Sequence, residues 1–265
     1  DPNPLVAGKG KALLEAAGVE VTVGVLAEEA RQINEAYFKW VTQKMPFVTL
    51  KTAMTLDGKI ATAVGKSQWI TGEAARQRVH EMRDVADAIL VGIGTVLADN
   101  PSLTTRLADG TGRNPVRVIV DSWARTPLTA NVVADGAART LLAVTASAPA
   151  EKVSALREAG VEVIALGEGP AVDLRALMRF LAEEKMTSVF VEGGGTLNFS
   201  LLEAGLVDKV HAFIAPQMVG GATALSPVEG RGIAELSDAV RLERMTAEPV
   251  GADILLTGYV IKEAE

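Results

Sequence analysis

Lys51, Asp57, Arg83, Arg106 and Glu192 stand where local structure alone does not call for them. Lys51 interrupts the apolar run Phe47–Met54. That run passes into Leu56-Asp57-Gly58-Lys59, a turn in which Gly58 supplies a positive φ. A lysine so placed either snorkels at a sheet edge or points into a cleft beside Asp57. Glu192 closes a second apolar run and is followed by Gly193-Gly194-Gly195. It reads as a helix cap or as a substrate-binding acid or base tuned by desolvation. Arg83 and Arg106 suit a bidentate grip on an anionic group, the alternative for Arg83 being a solvated helix face. The chemistry on offer is proton transfer beside an anion site.

Two stretches bring glycine turns to the same kind of place. In ILVGIGTVLADNPSLTTR (Ile89–Arg106) a buried strand breaks at Gly92-Ile93-Gly94, Thr95 is placed to cap a short helix, and Asp99-Asn100-Pro101 ends it. In VFVEGGGTLNFS (Val189–Ser200) a strand ends at Glu192 and Thr196 opens a helix. A strand delivering glycines to a helix N-terminus exposes backbone N–H groups to phosphate, with the helix dipole in support; the plainer reading is a tight strand–helix turn. Neither a G-x-x-x-x-G-K-[ST] loop nor a G-x-G-x-x-G fingerprint is present. Asp121-Ser122-Trp123-Ala124-Arg125 follows another strand end, where a hydroxyl and an arginine favour NADP over NAD.

Composition narrows the chemistry. The 265 residues, 48% hydrophobic and 22% charged, can hold one large α/β domain, or one domain and a fragment. A net charge of −7 argues against nucleic acid or an anionic membrane as main partner, although Arg76, Arg78, His80 and Arg83 cluster locally. The absence of cysteine excludes thiolate metal sites, disulfides and thiol nucleophiles. The two histidines, His80 and His211, lie far apart and read as surface or packing residues, so no metal site is expected. No run approaches the roughly 20 apolar residues of a membrane span and no signal-peptide pattern opens the chain, so a cytoplasmic setting is expected. With hydrolytic machinery so thin, cofactor-borne chemistry gains weight.

The elements that must position these residues follow from periodicity. Helices are expected over Lys11–Ala17, Glu28–Thr42, Gly72–Asp87, Pro149–Ala159, Val172–Glu184 and Thr196–Ala204. Strands are expected over Val19–Val25, Phe47–Met54, the run ending at Val91, Val116–Val120, Thr140–Val144, Val161–Ala165, Ser188–Glu192, Val207–Ala215, Ala239–Thr246 and Ile254–Val260. Alternating strands and helices imply a three-layer α/β fold, a mostly parallel sheet with helices on both faces, and the last two strands an antiparallel C-terminal edge.

Taken together, LKTAMTLDGKIAT (Leu50–Thr62), SQWIT (Ser67–Thr71), ILVGIGTVLADNPSLTTR and VEGGGTL resemble the reductase domain of the bifunctional riboflavin-biosynthesis deaminase/reductase. The resemblance implies a dihydrofolate-reductase-like fold for residues 46–265, with residues 1–45 as the end of the deaminase domain and a connecting helix. No His-x-Glu or paired cysteines are present, so deaminase activity is not expected. It further implies hydride transfer from NADPH to ribose C1 of a phosphorylated pyrimidine substrate, opened to an imine, and a homodimer or larger homo-oligomer. By resemblance NADPH contacts Ala53, Trp69, Thr95, Asp99, Ser122 and the turn Gly194, Gly195, Thr196, Leu197, Asn198, Phe199 and Ser200; Arg125, from the strand-end residues above, is the candidate for the 2′-phosphate. Substrate contacts Ser67, Arg83, Leu103, Arg106 and Glu192, while Lys51, Asp57 and Glu192 form the reacting end. The alternatives are a reductase of another pterin or pyrimidine, or a nucleotide-binding fragment without turnover.

Overall fold

A computed structural model describes residues 1–262. In chain order the elements are α1 (Lys9–Ala16), α2 (Ala27–Ile33), α3 (Glu35–Gln43), β1 (Phe47–Thr55), α4 (Glu73–Val85), β2 (Ala88–Gly92), α5 (Ile93–Asp99), β3 (Val116–Val120), α6 (Asn131–Ala134), β4 (Thr140–Val144), α7 (Ala150–Glu158), β5 (Glu162–Ala165), α8 (Leu174–Glu183), β6 (Ser188–Val191), α9 (Gly195–Glu203), β7 (Lys209–Ala215), β8 (Leu242–Val250) and β9 (Asp253–Val260). The described strands form one sheet of nine, ordered β5-β4-β3-β2-β6-β1-β7-β9-β8. It is parallel from β5 to β7, and β9 and β8 close it antiparallel. The expected three-layer α/β architecture is therefore present.

Both faces of the sheet are covered. Val48 and Leu50 of β1, Leu90 of β2 and Val191 of β6 are buried against Leu177, Met178 and Leu181 of α8 and Leu201 of α9. Ile89, Val91, Ile119 and Leu142 pack on the other face with Ile93 and Val96 of α5 and Leu156 of α7, and Phe213 and Leu255 pack against Ala75 and Val79 of α4. Alternation along β1 sends Leu50 to the first face and Lys51 and Ala53 to the face of α4. The chain leaves β2 toward β3, β4 and β5, but leaves β6 in the opposite direction toward β7. This reversal places a switch point at the carboxyl ends of β2, β6 and β1, where open α/β sheets form crevices.

Several expectations are corrected. Val19–Val25 is not a strand: no neighbouring strand accepts its backbone hydrogen bonds, and Val23 and Val25 are exposed. The helix expected over Glu28–Thr42 breaks at Asn34, whose side-chain amide donates to the Ala30 carbonyl and competes with the helical pattern. Thr95 does not cap α5. The N-cap is Gly92, and Thr95 lies in the first turn with its side chain free for other contacts. The helix does end at Asn100, which adopts φ +41. Strand β8 begins at Leu242 rather than Ala239 and tolerates Pro249 because it is the sheet edge. Among the described residues no helix is long and apolar enough to cross a membrane.

Candidate active site

The switch point opens into a cleft of about 700 Å³. Strand β1 contributes Lys51 and Ala53, the end of β6 contributes Glu192 and Gly193, and α4 contributes a stripe running through Arg76, His80 and Arg83. Thr95, Asp99, Leu103, Arg106, Ser67, Trp69 and Asn198 complete the wall drawn from the sequence candidates. A larger open groove, about 1890 Å³, runs between α3, α8 and residues 237–241, but it gathers none of those candidates. The chemistry therefore lies in the smaller cleft.

At its centre Glu192 is held from two sides. Arg83 Nε donates to Oε1 at 2.6 Å and Nη2 to Oε2 at 3.0 Å, while Lys51 Nζ reaches Oε2 at 3.4 Å. Burial acts to raise the Glu192 pKa, but the Arg83 and Lys51 charges outweigh it and hold the carboxyl at about 2. Glu192 is thus a carboxylate at any physiological pH. Glu192 therefore has no proton to give. Arg83 is not a solvated helix-face residue: its remaining Nη1 donates to the Thr104 carbonyl at 3.0 Å. Among the described residues Arg106 makes one side-chain hydrogen bond, Nη1 to Thr104 Oγ1 at 3.3 Å, and leaves more of its fork available to an anion.

The mouth of the cleft is formed by the loop after β1. Ser67 Oγ donates to Asp99 Oδ1 at 3.1 Å, tying this loop to the end of α5. Trp69 is largely exposed, and the Arg76 guanidinium lies 4.7 Å from its ring centre.

The three consecutive glycines have different causes. A Cβ on Gly193 would come within 2.9 Å of Leu197 Cδ2 and 3.0 Å of Asn198 Oδ1. On Gly195 it would lie 2.5 Å from Glu229 Cγ and 2.7 Å from the Ser226 carbonyl. These two are required by the chain's own packing. Gly194 alone borders open space, its nearest neighbour being Thr95 Oγ1 at 3.8 Å. The two helix starts, α5 and α9, therefore sit side by side at the cleft.

Other candidates lie apart from it. Asp57 is turned to its own loop, accepting from Thr55 Oγ1 at 2.5 Å, Gly220 N at 2.7 Å and Val219 N at 3.2 Å. Ser122 and Arg125 follow β3, one strand beyond β2; Ser122 Oγ accepts from Val172 N at 3.3 Å, and Arg125 Nε is 3.7 Å from the buried Asp121 carboxylate. Leu197 and Phe199 are buried and Ser200 Oγ donates back to the Thr196 carbonyl, so this turn offers ligands its first backbone N–H groups rather than those side chains. His80, read from the sequence as surface or packing, lines the cleft and accepts the Arg106 backbone N–H at Nδ1, 3.3 Å. The signal for it was the spacing of Arg76, His80 and Arg83 along one helical face. Among the described residues no group of three or more His, Cys, Asp or Glu side chains is placed to hold a metal ion.

Residues 46–256 match the family described as the RibD C-terminal domain. The riboflavin biosynthesis protein RibD of Actinobacillus pleuropneumoniae is 45% identical over 262 residues, covering 98% of this chain and 69% of that protein. The 2,5-diamino-6-ribosylamino-4(3H)-pyrimidinone 5′-phosphate reductase of Methanothermobacter thermautotrophicus is 49% identical over 218 residues, which are 82% of this chain and 99% of that one. Among solved structures, a diaminohydroxyphosphoribosylaminopyrimidine deaminase/5-amino-6-(5-phosphoribosylamino)uracil reductase of Thermotoga maritima superposes with a TM-score of 0.83 at 34% identity, covering 98% of this chain and 69% of that one.

Proposed function

The chain belongs to the RibD C-terminal domain family, and from that premise we propose how its cleft carries out the riboflavin-pathway reduction: hydride transfer from NADPH to ribose C1 of 5-amino-6-(5-phosphoribosylamino)uracil. The observation that carries this reading is the ionised Glu192 held between Arg83 and Lys51 at the cleft's centre. We assign residues 46–265 to the reductase domain and residues 1–45, which lie outside the family match, to the end of a deaminase domain and a connecting helix. A cytoplasmic setting and a homodimer or larger assembly accompany the reading.

The residues present suit a dinucleotide. Gly194 leaves room at the start of α9, where a Cβ would meet only Thr95 Oγ1, and Ala53, Trp69, Thr95 and Asp99 line the same cleft. Backbone N–H groups at that helix start favour a phosphate. When bound, the reduced nicotinamide supplies the hydride. Arg125, at the end of β3, is the candidate for the 2′-phosphate.

On the substrate side, the sugar ring opens to an imine between C1 and the amino nitrogen. Hydride adds to C1, and the nitrogen takes up one proton to become the ribitylamine. Lys51 carries that proton, and Glu192 holds the ammonium in place while remaining ionised. Arg83 orients Glu192 through two parallel hydrogen bonds. Arg106, in the cleft that Ser67 and Leu103 also line, grips the phosphate and so sets C1 against the hydride donor, where orientation lowers the barrier most. Asp57 takes no part in the proton transfer; its carboxylate braces the loop at residues 219–220, outside the cleft.

The names of the two reductase relatives differ in the pyrimidine, one a uracil and the other a 2,5-diaminopyrimidinone. NADPH oxidation measured with each of these substrates and with dihydrofolate tests the proposal. Turnover with the uracil above the diaminopyrimidinone, and none with dihydrofolate, is expected. The opposite order would move the substrate to the diaminopyrimidinone, and NADPH binding without any turnover would leave a nucleotide-binding fragment.

A further inference from the structure

The segment after α5, residues 100–106, has no regular secondary structure. Within it the buried Leu103 adopts φ +52, a conformation that side-chain-bearing residues enter at a cost. Five side chains, two of them from α4, hold this backbone. Asn131 Nδ2 donates to the Asn100 carbonyl at 2.7 Å and Asn114 Oδ1 accepts the Thr105 N–H at 2.9 Å. Arg117 of β3, itself buried, donates Nη1 to the Ser102 carbonyl at 3.2 Å. Arg83 donates Nη1 to the Thr104 carbonyl at 3.0 Å. His80 accepts the Arg106 backbone N–H at 3.3 Å. The others brace residues 100–105, and of these five side chains only His80 bonds the Arg106 main chain itself.

We infer that His80 is a positioning residue for substrate binding: its Nδ1 fixes the Arg106 main chain and thereby aims the Arg106 guanidinium at the substrate's phosphate. This rests on the reading of Arg106 given above. The role requires a lone pair on Nδ1, hence a neutral ring. Burial and the Arg83 and Arg106 charges keep it so, holding the imidazole at about 4. A neutral ring also leaves the two arginines as the cations of the subsite, and Glu192 neutralises one of them.

The test is steady-state kinetics and NADPH titration on four variants. His80→Leu removes the acceptor, and one lost hydrogen bond corresponds to a rise in substrate KM of about three- to tenfold, with kcat and NADPH affinity little changed. His80→Asn, whose Oδ1 takes the place of Nδ1, is expected to restore KM; His80→Gln, whose amide sits at the Nε2 position, is not. Adding His80→Leu to Arg106→Ala is expected to cost nothing further, because the imidazole acts through that side chain. A normal KM for His80→Leu, equal behaviour of the Asn and Gln variants, or additive losses in the double variant would overturn the inference. If Arg106→Ala itself leaves KM unchanged, the phosphate reading of Arg106 fails instead, and the two failures are distinguishable.

Discussion

Arg83 and Glu192 face each other as a fork on a fork, with hydrogen bonds of 2.6 and 3.0 Å and both side chains nearly buried. Removing one partner from such a pair leaves the other charge without compensation. Glu192→Gln is therefore expected to destabilise the chain by about 3–5 kcal/mol. The folded pKa, about 2, lies below the ordinary 4.5, so the ionised carboxylate's contribution is complete above pH 4.5 and is lost as pH falls toward 2. Urea unfolding of the two proteins should accordingly differ at neutral pH and converge in acid. A constant difference across that range would contradict the charge account.

Lys51 is the group left to protonate the imine nitrogen. Lys51→Met should lower kcat by about 10²- to 10⁴-fold, the usual range for general acid catalysis, with substrate KM changed only a few-fold. Single-turnover hydride transfer is the measurement. An equal loss confined to KM would make Lys51 a binding residue.

Neighbouring glycines of the triple turn should separate packing from ligand binding. Gly195→Ala forces a Cβ to within 2.7 Å of the Ser226 carbonyl and should cost about 1–3 kcal/mol of stability. Gly194→Ala meets nothing closer than 3.8 Å, so its thermal unfolding should be near wild type while NADPH binds more weakly. Normal NADPH binding by Gly194→Ala would place the cofactor elsewhere.

Arg125 is half exposed and close to the buried Asp121. Loss of a charged hydrogen bond to a 2′-phosphate corresponds to about a tenfold weaker NADPH complex, at the low end for charged partners. Arg125→Ala should show this by fluorescence titration, with NADH unaffected. An unchanged preference would mean that the 2′-phosphate is read by another residue.

The histidines should govern mild-acid stability. Burial, with the Lys209 and Arg78 charges, holds His211 at about 4, below the ordinary 6.5. The unfolded chain therefore takes up this proton first, and stability present above pH 6.5 is lost as pH falls toward 4. For His211 the full loss is about 3 kcal/mol, with a smaller share from the more exposed His80. His211→Gln should flatten the stability curve between pH 6.5 and 4, measured by urea midpoints. A curve as steep as wild type would assign the loss to other groups.

The sequence alone determined the layer architecture, the parallel sheet with its antiparallel edge, and the two glycine turns. Each of these is a local consequence of period, turn chemistry and uninterrupted apolar runs. It also singled out Lys51, Arg83, Arg106 and Glu192, because a charge inside or beside a buried run has few ordinary uses. Tertiary structure decided how they divide the work. Lys51 and Arg83 lie 141 and 109 residues from Glu192, and only the strand order β2-β6-β1 brings them to one carboxylate. Periodicity reports which face of an element is buried and is silent on what that face touches. For that reason the sequence leaves His80 as a surface or packing residue, Thr95 as a cap and the three glycines as one phosphate-binding turn. The fold makes His80 an anchor for Arg106, turns Thr95 toward Gly194, and leaves one glycine of the three open to a ligand.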